Sequence, residues 1–542
     1  MLRSRKDKGD PPSDYAGQRR PAPAADRPKG EGETPRLVAT DTGVRTGLTA
    51  SADAFFLARG IAMRTLRISL GAGAAGLALG WTSLALAQTP AAAPDPAPAA
   101  TAPAPDADGL GEGVVASPPP EAPAEPPPPA AGPPPAPPTI SEAIAAGKLI
   151  LEVRARYEMV DQTRTAALTR KGEAYTVRTR LGWETADWNG FKALIEMEDV
   201  RLFGPEHYAV NVPGATTPPL NGASHSKYPL INDPKVTELN RLQLTWTPNA
   251  MMQATIGRQR ILLDDQRFVG NVGWRQDEQT FDAVRLDLAW RRFKMIYVYV
   301  NRANRVLGEM RDWDSDSHLL NVTWSPAEQL RLQGFVYALD FENSRPNVSL
   351  TKGIKGSGKT WVGLVQLAYN ATYARQTDWR HATAPYGLNY YSADLAGTFD
   401  IWTGKVGYEV LEGNGVRGFT TPLATTHAFN GWSDAFVQAL GGNKSFVDGI
   451  KDLNFTLNVK PRYKWTYLSA IDLIVRYHDF RAERTGAPLG HEWDAQIQAA
   501  INPKLSMALK YADFERVGRA RAGTAAPPPS RKKFWVTLEY RL

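Results

Sequence analysis

The feature that most constrains this chain is a period-two alternation of apolar and polar residues, sustained over segments too numerous for a helical reading. In Leu453-Asn454-Phe455-Thr456-Leu457-Asn458-Val459-Lys460 every odd position is apolar and every even one polar. Trp493 through Ala499 and Leu151 through Glu158 repeat the pattern. A strand puts successive side chains on opposite faces, whereas a helix needs apolar residues three and four apart. The segments begin near residue 140 and run to the end of the chain, where Phe534 through Leu542 still alternate.

Short turns join some neighbouring segments, at Asp187–Gly190, Thr247–Ala250 and Asn502–Lys504. Longer Gly/Pro/Asn-rich loops are expected near 204–235, 345–357, 412–449 and 516–530. Short turns on one side and long loops on the other are the two faces of an outer-membrane barrel. About 17 strands can be placed, and closure in a single bacterial chain needs an even number. One more is expected near Thr360 to Ala374, for a total of about 18, with about 16 as the alternative. The expected fold class is therefore all-β, a transmembrane antiparallel barrel. A soluble β-solenoid would show a fixed repeat of about 20–30 residues, and none is found. The mean hydropathy of −0.35 is too polar for a bundle of transmembrane helices. The 15 Trp, 19 Tyr and 18 Phe would supply two interfacial girdles.

Three zones precede the barrel. Residues 1–62 are polar and aperiodic, and are expected to be a disordered or non-native extension, with Met63 as the true start. Residues 63–87 run from a charged Met63-Arg64-Thr65-Leu66-Arg67 through an apolar stretch to Ala85-Leu86-Ala87, a signal peptide cleaved before Gln88. Residues 88–139 are dominated by Ala and Pro, which cannot bury enough surface to fold and favour an extended backbone. They read as a periplasmic tether, a spacer or a reach to peptidoglycan or a periplasmic partner. The remainder, 140–542, carries 50 basic and 42 acidic side chains, so the cationic excess belongs to the barrel.

If the apolar parity faces lipid, the opposite parity lines the lumen. That places Arg154, Arg156, Arg178, Arg180, Lys192, Arg241, Arg285, Lys460 and Arg476 inside as candidate selectivity residues, together with Lys510. It also brings in Glu152, Glu158, Glu184, Glu196, Glu198, Asp287, Asp472, Glu492 and Asp494. Charge on the lipid face costs a few kcal/mol near the midplane, so a wet lumen is where these groups must go. They are either structural cross-strand pairs or an arginine-rich constriction that attracts anions. Arg258 and Arg260 share a face with Ile256 unless a bulge intervenes.

Gly353 through Thr360 match the P-loop pattern, but strand-like sequence follows at Trp361 where a helix is needed, and a secreted protein meets no ATP pool. Gly71 through Gly76 fit a dinucleotide fingerprint only inside the signal peptide. The seven histidines show no metal-ligand spacing, no Gly-x-Ser-x-Gly elbow is present, and there is no cysteine. No catalytic residue, metal, cofactor or nucleic-acid partner is expected.

Two stretches resemble the alginate export family of outer-membrane proteins. The first is Gly257-Arg258-Gln259-Arg260-Ile261, then Asp264 through Gly270, Trp274-Arg275-Gln276 and Thr280 through Ala283. The second is Phe419 through Asp434, containing Thr425-Thr426-His427 and Gly431-Trp432-Ser433-Asp434. The resemblance covers most of 146–542 and implies an 18-stranded barrel whose electropositive lumen suits anionic polyuronates. It also implies that loops around these motifs shape a gate or constriction. The Pro/Ala tether is a departure from the family, and the final Leu542 stands where an aromatic residue is usual. The expected function is non-enzymatic: an outer-membrane channel passing an anionic solute, such as an acidic polysaccharide, through an arginine-lined lumen. Its expected partners are outer-membrane lipid and the outer-membrane assembly machinery. The alternatives are a porin for small nutrients and, in another class, a secreted β-rich polysaccharide-binding protein or lyase.

Overall fold

Alternation becomes geometry in β1 (Lys148–Gln162), where Glu152, Arg154, Arg156 and Glu158 are buried while Val153, Ala155 and Tyr157 between them are more exposed. A soluble protein would show the reverse. Leu181, Ile195, Leu242, Ile256, Ile354 and Leu457 are likewise exposed on the outer face of their strands. This inside-out distribution is what lipid outside and polar groups inside demand. The computed structural model describes residues 139–210, 218–436, 447–462, 468–519 and 526–542. The expected extension, the signal peptide and all of the tether but Thr139 lie outside them.

β1 is followed by β2 (Gly172–Glu184), β3 (Phe191–Leu202), β4 (Val236–Asn249), β5 (Met252–Gln259), β6 (Thr280–Trp290) and β7 (Phe293–Asn304). Next come β8 (Trp313–Ala327), β9 (Leu330–Leu339), β10 (Ser349–Val362), β11 (Val365–Thr377), β12 (Gly387–Phe399) and β13 (Trp402–Leu411). β14 (Ile450–Val459), β15 (Ala470–Arg481), β16 (Pro488–Asn502), β17 (Leu505–Arg516) and β18 (Arg531–Arg541) complete the ring. All belong to one 18-stranded sheet, each strand antiparallel to its chain neighbours, and β18 closes on β1 from Glu152↔Arg541 to Gln162↔Arg531. No helix among the described residues is long and apolar enough to cross a membrane, so strands do the crossing. A short helix, α1 (Ile140–Ala145), precedes β1 behind a Thr139/Glu142 capping box. Its Ile144 carbonyl accepts from Trp183 Nε1 at 2.9 Å, which fixes it at the short-turn rim.

The turns after β4, β6, β8, β10, β12 and β16 hold only two residues, while the longest connections follow odd-numbered strands, β3, β5 and β13. Trp246, Trp290, Phe293, Trp324, Trp361, Phe399 and Trp402 form an exposed aromatic girdle at the short-turn end. Phe191 stacks on Trp246 and Phe293 on Trp324, which continues the belt from strand to strand.

Two expectations change. The loop near 345–357 is mostly strand: it ends at Val348, and Gly353 through Thr360 lie wholly in β10. Three glycines interrupt the apolar pattern there for a packing reason. A Cβ on Gly353 would lie 2.2 Å from the Phe335 ring, and one on Gly358 would meet the Gln329 carbonyl. Gly353→Val is expected to destabilise the barrel by about 1–3 kcal/mol through overpacking. A urea midpoint matching wild type would refute this. The missing strand is β11, at the expected place. Arg258 and Arg260 separate: Arg258 stays on the outer side with Ile256 and pairs with Asp282 at 2.7 Å, while Arg260 lies just past β5 and turns inward.

Candidate functional site: two inward-folded loops

The loops that follow β5 and β13 do not project into solvent. Residues 260–279 and 412–436 bond to inward-facing side chains of the wall, so both fold into the lumen. On the β1–β2 side, Arg154 Nη1 donates to the carbonyls of Gly273 at 2.9 Å and Arg275 at 3.3 Å. Arg156 Nη1 donates to the Trp274 carbonyl at 2.5 Å, and its guanidinium lies 4.2 Å from the centre of the Trp274 ring. Gln276 Nε2 donates to Thr176 Oγ1 at 2.8 Å. On the opposite side, Asp264 accepts from Asn321 of β8 at 3.1 Å and from Gln333 of β9, and Lys355 of β10 donates to Asp265 at 2.7 Å. β1 and β10 face each other across an 18-strand ring, so this one loop crosses the full lumen.

Glu278 is its main anchor. The buried carboxylate takes Arg260 at 2.6 Å, Arg180 at 3.2 Å, Asn240 at 2.6 Å and Asn271 at 2.9 Å. Asn240 reaches it because β4 carries one extra residue opposite β3, between the pairs Glu196↔Arg241 and Met197↔Leu239. That bulge turns both Asn240 and Arg241 inward. Neighbouring Asp277 is buried beside Glu198 and Glu238, and desolvation together with those carboxylates raises its carboxyl well above the usual range.

The second loop is held by β16–β18. Ser433 donates through its backbone N–H and its hydroxyl to Glu492, at 2.6 and 2.7 Å. Gly431, at φ 84°, comes so close to Glu492 that a Cβ there would lie 2.4 Å from the carboxylate. Lys510 Nζ sits 3.7 Å from the Trp432 ring centre and 2.9 Å from His427 Nε2. Burial and the Lys510 charge push His427 well below its ordinary value. The ring is therefore neutral, accepting from Lys510 at Nε2 and donating from Nδ1 to Asp434 at 2.9 Å. Burial opposes the Asp434 charge, but Lys533 at 2.6 Å, His427 and Arg275 hold its carboxyl well below the usual range.

The loops clasp each other. Gly270 N–H donates to the Leu423 carbonyl at 2.9 Å, and Arg275 pairs with Asp434 at 3.4 Å. Trp274 stacks on His427 with ring centres 4.2 Å apart and planes 8° apart. Arg267 reaches Glu409 at 2.6 Å and Asn430 at 3.0 Å. Together they form one cross-linked body in the lumen.

All nine candidate residues have the inward parity expected, but their surroundings divide them. Arg154, Arg156, Arg178 and Arg180 have 0–1% of their surface exposed. Arg178 pairs with Glu152 and, at 3.4 Å, with Glu539; Arg180 pairs with Glu198 at 2.5 Å. Arg241 is locked on Glu196 at 2.6 Å. These charges make cross-strand pairs, and most are also the seat of the first loop. Arg285 pairs with Asp287 at 2.6 Å and Lys460 with Asp472 at 3.5 Å, both more open. Arg476 lies 4.8 Å from the Trp432 ring centre. Lys192 is exposed near the short-turn end, with no ion-pair partner among the described residues. The residues that join the loops (Arg267, Trp274, Arg275, His427, Asp434, Lys533) escape the parity argument. Five of the six sit in the two stretches that resemble the alginate export family, which is where a signal for them existed.

Comparison with known proteins agrees with this geometry. Residues 148–409 match the family described as alginate export. Among solved structures, Pseudomonas aeruginosa OccK9 (OpdG) is 12% identical, with a TM-score of 0.54, and covers 74% of this chain and 100% of its own. Acinetobacter baumannii OccAB2 is also 12% identical, with a TM-score of 0.54, and covers 74% of this chain and 99% of its own. At such identity the likeness speaks for the fold, a porin-like closed barrel. No curated protein matches the sequence. A lipid-facing barrel of this kind leaves the secreted, soluble alternative without support.

Proposed function

We propose that this chain, an outer-membrane channel for solutes whose residues 148–409 match the alginate export family, passes an anionic solute of the acidic polysaccharide class, such as alginate. One observation carries the reading. The inward arginines are held by oxygens, carboxylates of Glu152, Glu198, Glu278 and Glu539 and backbone carbonyls of residues 273–275, while Arg178 Nε and Nη1 and Arg156 Nη2 make no hydrogen bond among the described residues. A uronate chain brings the same ligands, since guanidinium pairs with carboxylate and accepts hydroxyl and carbonyl partners by the same fork. Displacement of the first loop would expose Arg154, Arg156, Arg178 and Arg180 to such a chain. Lys192, Arg285, Lys460 and Arg476 would favour anions along the approach from the short-turn end.

The test is reversal potential in a planar bilayer under a salt gradient, with and without polyuronate. A unit charge about 7 Å from a permeating ion is worth about 0.6 kcal/mol even at the dielectric constant of water. Arg178→Ala combined with Arg180→Ala removes two such charges, each acting with opposite sign on anion and cation, and should therefore lower the anion-over-cation permeability ratio by roughly 50-fold and weaken block by polyuronate. Unchanged selectivity in the double variant sinks the arginine assignment.

A second reading, a porin for small nutrients, is favoured by the obstructed lumen. Pseudomonas aeruginosa OpdK, 12% identical, was solved with vanillate, a small aromatic carboxylate. Block by vanillate with indifference to polyuronate would favour that reading.

A further inference from the structure

On the lipid-facing side of β8–β11, toward the long-loop end, lies a groove of about 530 Å³ that none of the lumen chemistry uses. Leu320 and Val322 of β8, Val336 of β9, Ile354 of β10 and Tyr373 of β11 line it. Its floor exists because β9 has a glycine where its neighbours carry branched side chains. Gly334 is paired with Val322 on one side and Ile354 on the other, and a Cβ added there would meet nothing within 4 Å. The groove is open and apolar.

Its upper rim is cationic. Lys352 and Arg375 are direct cross-strand partners, both pointing outward. Directly opposed residues have Cβ atoms about 5 Å apart, and like charges in that position repel. Lys352 has no ion-pair or hydrogen-bond partner among the described residues. Arg375 donates only to the neutral Asn389 Oδ1, at 3.0 Å. The Arg375 charge is felt by the Glu412 carboxylate beyond Asn389, which already accepts from the Asn389 backbone N–H, its side-chain amide and Tyr391. Two cations held side by side at the long-loop end of an apolar groove match a lipid with a phosphate at the top and a chain below.

We propose that this face is a binding site for a diphosphorylated glycolipid of the outer leaflet, of the lipid A type. One acyl chain lies over Gly334 between Val322 and Ile354, and a phosphate bridges Lys352 and Arg375. The long-loop end is the outward-facing end of such a barrel, which places the rim in the leaflet where that lipid resides. The bridging phosphate removes the like-charge repulsion, since each basic group near an anionic headgroup attracts it.

The test is native mass spectrometry of the detergent-solubilised barrel titrated with lipid A, with phosphatidylglycerol as the competing anionic lipid. Wild type should retain one lipid A in preference to phosphatidylglycerol. Lys352→Gln combined with Arg375→Gln should weaken lipid A binding by roughly thirtyfold. Gly334→Leu, which fills the groove and leaves the charges, should abolish the bound chain. Lys352→Gln alone breaks no hydrogen bond or ion pair among the described residues, and should weaken binding by about fivefold. Equal retention of lipid A by wild type and Lys352→Gln, or equal retention of phosphatidylglycerol by wild type, would overturn the assignment.

Discussion

Replacing residues 264–277 by a two-glycine link should raise single-channel conductance at least about threefold, because it removes the segment that crosses the lumen from β10 to β1. Barrels of about 16–18 strands leave an aqueous channel when nothing folds into them. The segment contributes Asp264 and Asp265 to one wall and the carbonyls of residues 273–275 to the other. The deletion retains Glu278, so the bonds to Arg180, Arg260 and Asn240 still hold the base of the loop. It also exposes the β1–β2 arginines, so conductance should rise together with affinity for polyuronate. A deletion variant that folds, judged by heat-modifiable migration, and conducts as wild type does would refute an obstructing role.

Glu278→Ala should cost about 3–5 kcal/mol of barrel stability. The carboxylate is buried and neutralises two guanidiniums, those of Arg180 and Arg260, neither of which can return to water without dismantling the wall. Removing one partner of a buried pair is costly because the other charge remains desolvated. Glu278→Gln keeps an acceptor oxygen for Asn240 and Asn271 and should cost about half as much. Both are read as a shift of the urea midpoint, and a midpoint unchanged in Glu278→Ala would mean that the loop lacks an energetic hold on the wall.

Much of the architecture was legible because lipid and lumen impose opposite chemistry on alternate residues. β1 and β14 announce themselves by alternation alone, and the parity of the inward acids and bases on such strands follows from it. β10 was obscured: Gly353, Gly356 and Gly358 look like loop or P-loop glycines. Only the Phe335 ring packed above Gly353 explains why a strand needs such residues. The site was legible in part. Arginines could be assigned to the lumen, but their burial depends on partners such as Gly273, 119 residues from Arg154, in a segment without any period. The expected long loops omitted 260–279 because its Gly/Pro content is low. Its clustered charges, Asp264, Asp265, Arg267, Arg275, Asp277 and Glu278, serve as side-chain partners instead of turn formers.

The bulge at Asn240 has a consequence for anyone who would re-engineer this channel. It exists to bring Asn240 and Arg241 to the same side, where one meets Glu278 of the loop and the other Glu196 of the wall. Loop and wall thus share a single address written into strand register. A loop transplanted onto a relative's strand lacking that extra residue would arrive with Glu278 and find Arg180 but not the Asn240 donor. The unit that fills the lumen here is loop plus strand pair, and chimeras should be cut at the short turns flanking β3 to β6, not at the loop ends.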